Sequence, residues 1–237
     1  MNLLIIEQKD FITTNTVILN DERYKHIKTI LKKKIGDKIK VGLLNSKIGI
    51  ATVIAYSPNQ IILHLFLSIS PPPPHPLTLI MALPRPKVFK RILTTIAEIG
   101  IKKVYFVHTE KVEKSYWSSP VINTLNINAA LLKGLSQAKD TIMPEVHFRR
   151  RFKPFIEDEL AEIIGIKTAY IAEPTSSESF TKMSTVESVL LIGPEGGFNA
   201  FEIALIEAQG VQKRSLGPRV FRVESVIPIL STLWMNF

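Results

Sequence analysis

Two short stretches hold the residues best placed to do chemistry. The first is LLIGPEGGFNAFE, Leu190 to Glu202. Its leading run, Val189 to Ile192, is apolar and partly β-branched, the pattern of a buried strand. Asn199 with Glu202 three positions on is the pattern of a reciprocally capped helix start. Gly193, Pro194, Gly196 and Gly197 therefore join the C-terminal end of a strand to a helix, where α/β proteins bind ligands. A plain tight turn is the other reading of the same glycines. The second stretch is LGPRVFRVES, Leu216 to Ser225, again between a short strand and a helix. Gly217 and Pro218 fix a bend, and Arg219, Arg222 and Glu224 follow. If the two strands are neighbours, the loops face each other, and their backbone amides and carbonyls line a slot suited to an adenine and ribose. Arg222 and Glu224 also read as a plain surface ion pair.

Other chemistries fit poorly. A Walker A loop ends in Gly-Lys-Ser or Gly-Lys-Thr, whereas Gly196-Gly197 runs into Phe198-Asn199. The dinucleotide fingerprint has a different glycine spacing and sits near the first strand of its domain. The five histidines are scattered without metal-ligand spacing, so no metal is expected. No Gly-x-Ser-x-Gly elbow occurs. Glu157, Asp158 and Glu159 stand at a helix start, where the helix dipole accounts for them. With no cysteine there is no disulfide, thiolate nucleophile or thiolate metal site.

The elements that position these loops follow from the rest of the 237 residues. Ser70-Pro-Pro-Pro-Pro-His75-Pro76 is a stiff polyproline joint. It divides an expected β-barrel domain over residues 1–72 from an α/β domain over 73–237. Before it, strands are expected over Leu3–Ile6, Thr16–Leu19, Asp37–Leu44, Ile48–Tyr56 and Gln60–Leu67, with one helix from Asp21 to about Lys33. After it, strands and helices alternate. Strands are expected at Leu77–Leu83, Val104–His108, Glu145–Phe148, Thr168–Ala172 and Ser188–Ile192, with a last short one running through Leu216. Helices are expected over Val88–Ile99, from Val121 to about Lys139, over Phe155–Ile164 and Asn199–Gln209, and from about Ser225. Repeated βα units imply a mainly parallel sheet with helices on both faces.

The net charge of +9 favours a polyanionic partner, nucleic acid first. Arg23 to Lys47 holds nine Lys and Arg against one acid, Asp37, a density suited to phosphate contacts. Arg23, Lys25, His26, Lys32 and Lys33 are the candidate RNA contacts. The N-terminus lacks a basic signal region and no apolar run is long enough to span a bilayer, so a cytoplasmic protein with no membrane partner is expected.

LIGPEGGF and LGPRVFRVES resemble the two signature segments of the RsmE-type 16S ribosomal RNA uridine-N3 methyltransferases, which belong to the SPOUT class. HIKTILKKKIGDKIKV (His26–Val41), IAEIGIKKV (Ile96–Val104) and SQAKDTIMPEV (Ser136–Val146) are similar to further family segments, so the resemblance covers nearly the whole chain. It implies a PUA-like RNA-binding barrel followed by a trefoil-knotted, mainly parallel α/β SPOUT domain. It also implies S-adenosyl-L-methionine as cofactor, ribosomal RNA or the small ribosomal subunit as partner, and a homodimer. The cofactor residues implied are Glu173, Leu191, Gly193, Gly196, Gly197, Leu216, Gly217, Val220 and Phe221. Arg222 would stabilise charge developing on the uracil edge, and Glu224 would orient Arg222 or accept the proton, orientation being favoured. Departures from the family pattern fall at Thr95, where a lysine is usual, at Lys32 and Asp140, where arginines are usual, and at Ser225-Val226. They leave the cofactor slot intact and point to a changed substrate surface. Two rivals stand beside this reading. A SPOUT ribose 2′-O-methyltransferase usually carries an asparagine that Glu98-Ile-Gly100 lacks, and a non-catalytic RNA-binding assembly factor would keep the domain as a scaffold.

Overall fold

The computed structural model describes residues 2–183 and 186–235. The chain forms two compact units: residues 1–73 with 132–143, and residues 74–131 with 144–237.

In the first unit, β1 (Leu4–Ile6), β2 (Phe11–Thr13), β3 (Thr16–Leu19), β4 (Lys38–Leu43), β5 (Ile48–Ser57) and β6 (Gln60–Ile69) form a mixed sheet in the order β1-β4-β5-β6-β3-β2. Only β1 and β4 pair in parallel. No ladder joins β1 to β2 among the described residues, so the expected PUA-like barrel takes the form of a half-barrel. Alternation along β5 and β6 places Ala51, Val53, Ile61, Leu63 and Leu65 inside, with Tyr24 and Ile27 of α1 (Glu22–Thr29) packed on them. Asp21 caps α1 by accepting from the Arg23 amide at 2.9 Å. The helix stops at Thr29, short of the expected Lys33, and the backbone turns left-handed at Lys32 with φ of 49°. The segment 132–143 belongs to this unit through the Leu3 amide on the Ser136 carbonyl and the Asn45 amide on the Thr141 carbonyl.

The second unit is a parallel sheet, as the alternating pattern implies. Its strands are β7 (His75–Ala82), β8 (Ile101–Val107), β9 (Glu145–Arg149), β10 (Thr168–Ala172), β11 (Ser188–Ile192) and β12 (Gln212–Arg214), in the order β12-β10-β11-β7-β8-β9. α2 (Pro86–Ile99) takes proline in its first turn and ends on Gly100 at φ of 92°, which a residue without Cβ adopts freely. α3 (Thr124–Ala138) follows β8. After β9, α4 (Phe152–Pro154) runs through a π-turn (Phe155–Glu159) into α5 (Leu160–Ile164), a start one turn earlier than expected. α6 (Ala200–Glu207) follows β11, and α7 (Val223–Ser231) closes the order.

β7 starts two residues earlier than its hydropathy suggested because His75 is built into the interior. Its Nε2 lies 3.0 Å from the Ser231 carbonyl and its Nδ1 accepts from the Leu77 amide at 3.3 Å, a pairing that fixes the neutral Nε2–H tautomer. Burial holds the ring below its ordinary pKa of 6.5, although the Ser231 hydrogen bond favours the charged form. The unfolded chain therefore binds the proton more readily. The stability His75 contributes is complete above about pH 6.5 and is lost as the pH falls. Urea unfolding should show this unit losing up to about 1 kcal/mol between about pH 7.5 and 5.5, with a shallower slope in His75→Gln.

Candidate functional site

β10 lies between β11 and β12, so the two glycine loops leave the same sheet edge one strand apart and not from adjacent strands. They face each other across the end of β10, where Glu173 and Pro174 stand. The resulting cleft holds about 660 Å³ of non-atom space, the open solvent at its mouth included. Ile192, Phe198, Leu216, Val223 and Val226 give it an apolar lining, and Glu173, Glu195, Arg214 and Arg219 supply charge.

Backbone shape makes this cleft. A Cβ on Gly193 would lie 3.0 Å from the Phe198 ring and 3.2 Å from the Phe198 amide nitrogen, so any side chain there would have to push Phe198 back. Gly217 sits at φ of 90°, a conformation a side chain strains. Phe198 is buried and packs on Phe152 with ring centroids 6.1 Å apart.

Of the residues assigned to a cofactor, Glu173, Gly193, Gly197, Leu216, Gly217, Val220 and Phe221 line the cleft. Leu191 and Gly196 do not. Leu191 lies on β11 in the sheet core. Gly196 turns away, its carbonyl accepting from Lys111 Nζ at 2.6 Å. Glu173 is buried, and its Oε1 accepts from the Thr175 hydroxyl at 2.8 Å. Arg214, paired with Glu178 and set 6.0 Å from the Tyr170 ring centroid, escaped the sequence reading because its strand offers three residues and no periodicity. Arg219 stands in the same bend as Gly217 and was legible there.

The expected Arg222–Glu224 pair does not form. Glu224 Oε1 accepts from Arg91 of α2 at 3.0 Å. Arg222 caps α7 with its backbone, its carbonyl accepting from the Ser225 and Val226 amides, and its exposed side chain has no partner among the described residues. Residues two apart at a helix start point in nearly opposite directions, which separates the two groups. Glu224 therefore does not orient Arg222.

In the first unit, Arg23 is tied into the fold. Its guanidinium lies 2.6 Å from Asp10 and 2.7 Å from Asp21 and donates to the Ile5 carbonyl at 2.9 Å. Burial works against its charge, but the two carboxylates hold its pKa well above the ordinary value. The side chain is spent on the fold. Lys25 is exposed and pairs with Glu22 at 2.6 Å, and Lys32 is exposed in the left-handed turn. Lys33 is half-buried, its carbonyl accepting from the Tyr56 hydroxyl at 2.7 Å. His26 is half-buried, and its Nε2 is enclosed without a hydrogen-bond partner.

Comparison with known proteins gives this geometry a context. A family model described as the RNA methyltransferase domain matches residues 71–235. Another, the RNA methyltransferase PUA domain, matches residues 19–66. The chain is 29% identical to the ribosomal RNA small subunit methyltransferase E 1 of Borreliella burgdorferi over 226 residues, covering 95% of this chain and 93% of the relative. Against ribosomal RNA small subunit methyltransferase E of Treponema pallidum it is 28% identical, with 95% and 87% covered. The crystal structure of the Neisseria gonorrhoeae enzyme of that name, bound to S-adenosyl methionine, superposes with a TM-score of 0.77 at 17% identity over 99% of this chain and 98% of that one. That last likeness is one of fold.

Fixing the cleft depends on Glu202, which is 3% exposed. One carboxylate oxygen accepts from the Asn199 amide at 2.9 Å and the other from the Glu110 amide at 2.8 Å, while Asn199 Oδ1 accepts from the Glu202 amide at 2.7 Å. Glu202→Ala strands two backbone donors, each worth about 1–3 kcal/mol when left unsatisfied away from water. A loss of about 2–4 kcal/mol in urea unfolding is expected, and a smaller loss for Glu202→Gln, which keeps one acceptor.

Proposed function

The chain belongs to the RNA methyltransferase family, and from that premise we propose that it methylates N3 of a uridine in small-subunit ribosomal RNA with S-adenosylmethionine as donor. The observation that carries the reading is the cleft between the two glycine loops. Its apolar lining suits an adenine, Glu173 offers a carboxylate for ribose hydroxyls, and Gly193 and Gly217 allow backbone groups to approach closely. S-adenosylmethionine supplies an electrophilic methyl group on a sulfonium, which needs no metal to react.

The residues of the chain have three tasks. The loops hold donor and acceptor in line, which by itself lowers the barrier substantially. Arg222, exposed and unpaired beside the cleft-lining Phe221 and Val223, is free to stabilise the uracil oxygen as charge develops. Glu224, engaged by Arg91, anchors the first turn of α7 instead of Arg222, and it remains the nearest carboxylate in sequence to act on the N3 proton. The expected domain over residues 1–72 grips RNA, with exposed Lys32 presenting its ammonium group to phosphate.

Calorimetry on the full chain should give micromolar affinity for S-adenosylmethionine. Arg222→Ala should leave that affinity within about twofold and lower methyl transfer to 16S ribosomal RNA by about 100-fold, the usual cost of one transition-state donor. Mass mapping of RNA from cells lacking the protein should show one N3-methyluridine missing. Loss of a ribose methyl instead would overturn the choice of atom, and absence of donor binding would overturn the enzymatic reading.

A further inference from the structure

The loop that leaves β8 ends on the same sheet edge as the cleft, and its side chains are arranged for a purpose the cleft does not use. The segment His108–Ser118 is fastened to the first glycine loop at several points. Lys111 Nζ donates to the Gly196 carbonyl at 2.6 Å, and the Glu110 amide donates to Glu202 at 2.8 Å. The Asn199 side-chain amide donates to the Glu110 carboxylate. Nearby, Arg85 pairs with Glu195 at 3.3 Å. The segment is thus a fixed wall against the first glycine loop, on the side of Gly196 that turns away from the cleft.

On that wall sits Trp117. Its indole Nε1 donates to His108 Nδ1 at 2.8 Å, and Phe148 meets the ring edge-on at 6.1 Å. The Arg150 guanidinium lies 5.4 Å from the ring centroid. The indole donor is therefore satisfied internally, the ring plane is fixed, and Trp117 remains only half-buried.

The surrounding charges are unevenly spent. Arg149 is held by Glu159 at 2.7 Å and Lys153 by Glu157 at 3.7 Å. Arg150, Arg151 and Lys114 are exposed and have no acidic partner among the described residues. A planar ring with a guanidinium near its face and further positive charge are what single-stranded RNA requires, for its bases and its phosphates respectively.

We infer that Trp117 and Arg150, with Lys114, form a binding site for a single-stranded RNA segment on the same sheet edge as the methyl-transfer cleft. A base stacks on Trp117, and flanking phosphates meet Arg150 and Lys114. The inference rests on the reading of the chain as an RNA methyltransferase, and it names where the strand carrying the acceptor lies.

The test is binding of the full chain to fluorescein-labelled oligouridylate and to deproteinised 16S ribosomal RNA over a salt series, with calorimetric titration of S-adenosylmethionine in parallel. Trp117→Leu should weaken RNA binding by roughly 5- to 100-fold, the range of one base–aromatic stack. Trp117→Phe, which loses the hydrogen bond to His108 but keeps a ring, should retain most of the affinity. Arg150→Gln should lower the slope of log affinity against log salt by about 0.7, one single-strand phosphate's worth, a change that a merely structural role would not produce. Affinity for S-adenosylmethionine should be unchanged in all three. If the wild type binds the donor but Trp117→Leu and Arg150→Gln bind RNA like the wild type, this inference falls and the functional reading stands. Equal losses in Trp117→Phe and Trp117→Leu, or failure of the wild type to bind either RNA, would also overturn it. If the wild type does not bind the donor, the functional reading itself fails.

Discussion

The buried carboxylate of Glu202 is the fixture on which the second unit's working edge depends. It closes the first turn of α6 by accepting from Asn199, and it holds the β8 loop by accepting from Glu110. Two loops that leave different strands are tied to one side chain. Gly193, Gly196 and Gly197 give the loop no side-chain anchors of their own, beyond Glu195 on Arg85 and the buried Phe198. Its conformation must be imposed from its ends, by Ile192 within the sheet at one side and by the Asn199–Glu202 capping box at the other. Bareness and rigid anchoring belong together, because without the second the first would be a flexible linker.

A similar logic governs the second loop. α7 begins where Arg222 turns into the helix, and Glu224 in the first turn is held from α2 by Arg91. An acid there is also favoured by the helix dipole. The bend at Gly217 is thereby suspended between β12 and a helix start that cannot drift. The cost is that Glu224 is no longer available to Arg222, which leaves Arg222 as a cation facing solvent.

How far the sequence could be read follows from the range of each interaction. The reciprocal cap of Asn199 and Glu202 was legible because its partners are three residues apart, and the structure has both bonds. Parallel βα order was legible from alternating periodicity. β2 was not foreseen, since Phe11-Ile-Thr13 is too short to show alternation and exists through its ladder with β3. Arg23 looked like an RNA contact because the sequence shows Asp21 beside it but not Asp10, brought in by the fold. His75 looked like part of the proline joint because its partner, Ser231, lies 156 residues away. The local cap was read correctly, whereas charges taken by distant residues, Arg23 by Asp10 and Glu224 by Arg91, were not.

Asp140 shows the same limit from the other side. As an acid where the resembled family has arginine, it pointed to a changed substrate surface. In the fold it is 3% exposed, and its Oδ1 accepts from the Thr141 amide at 2.6 Å and the Ile142 amide at 3.0 Å. A carboxylate that accepts from the next two amides shapes a turn and competes with further helix, which is why α3 ends just before it. An arginine has no acceptor and could not make those bonds. The departure is thus a change in how one helix is terminated. It leaves the cleft lining untouched, because that lining is built mainly of glycine backbone and apolar side chains contributed by the ends of β10, β11 and β12. A site made in this way tolerates substitution elsewhere in the chain as long as the three strand ends keep their order.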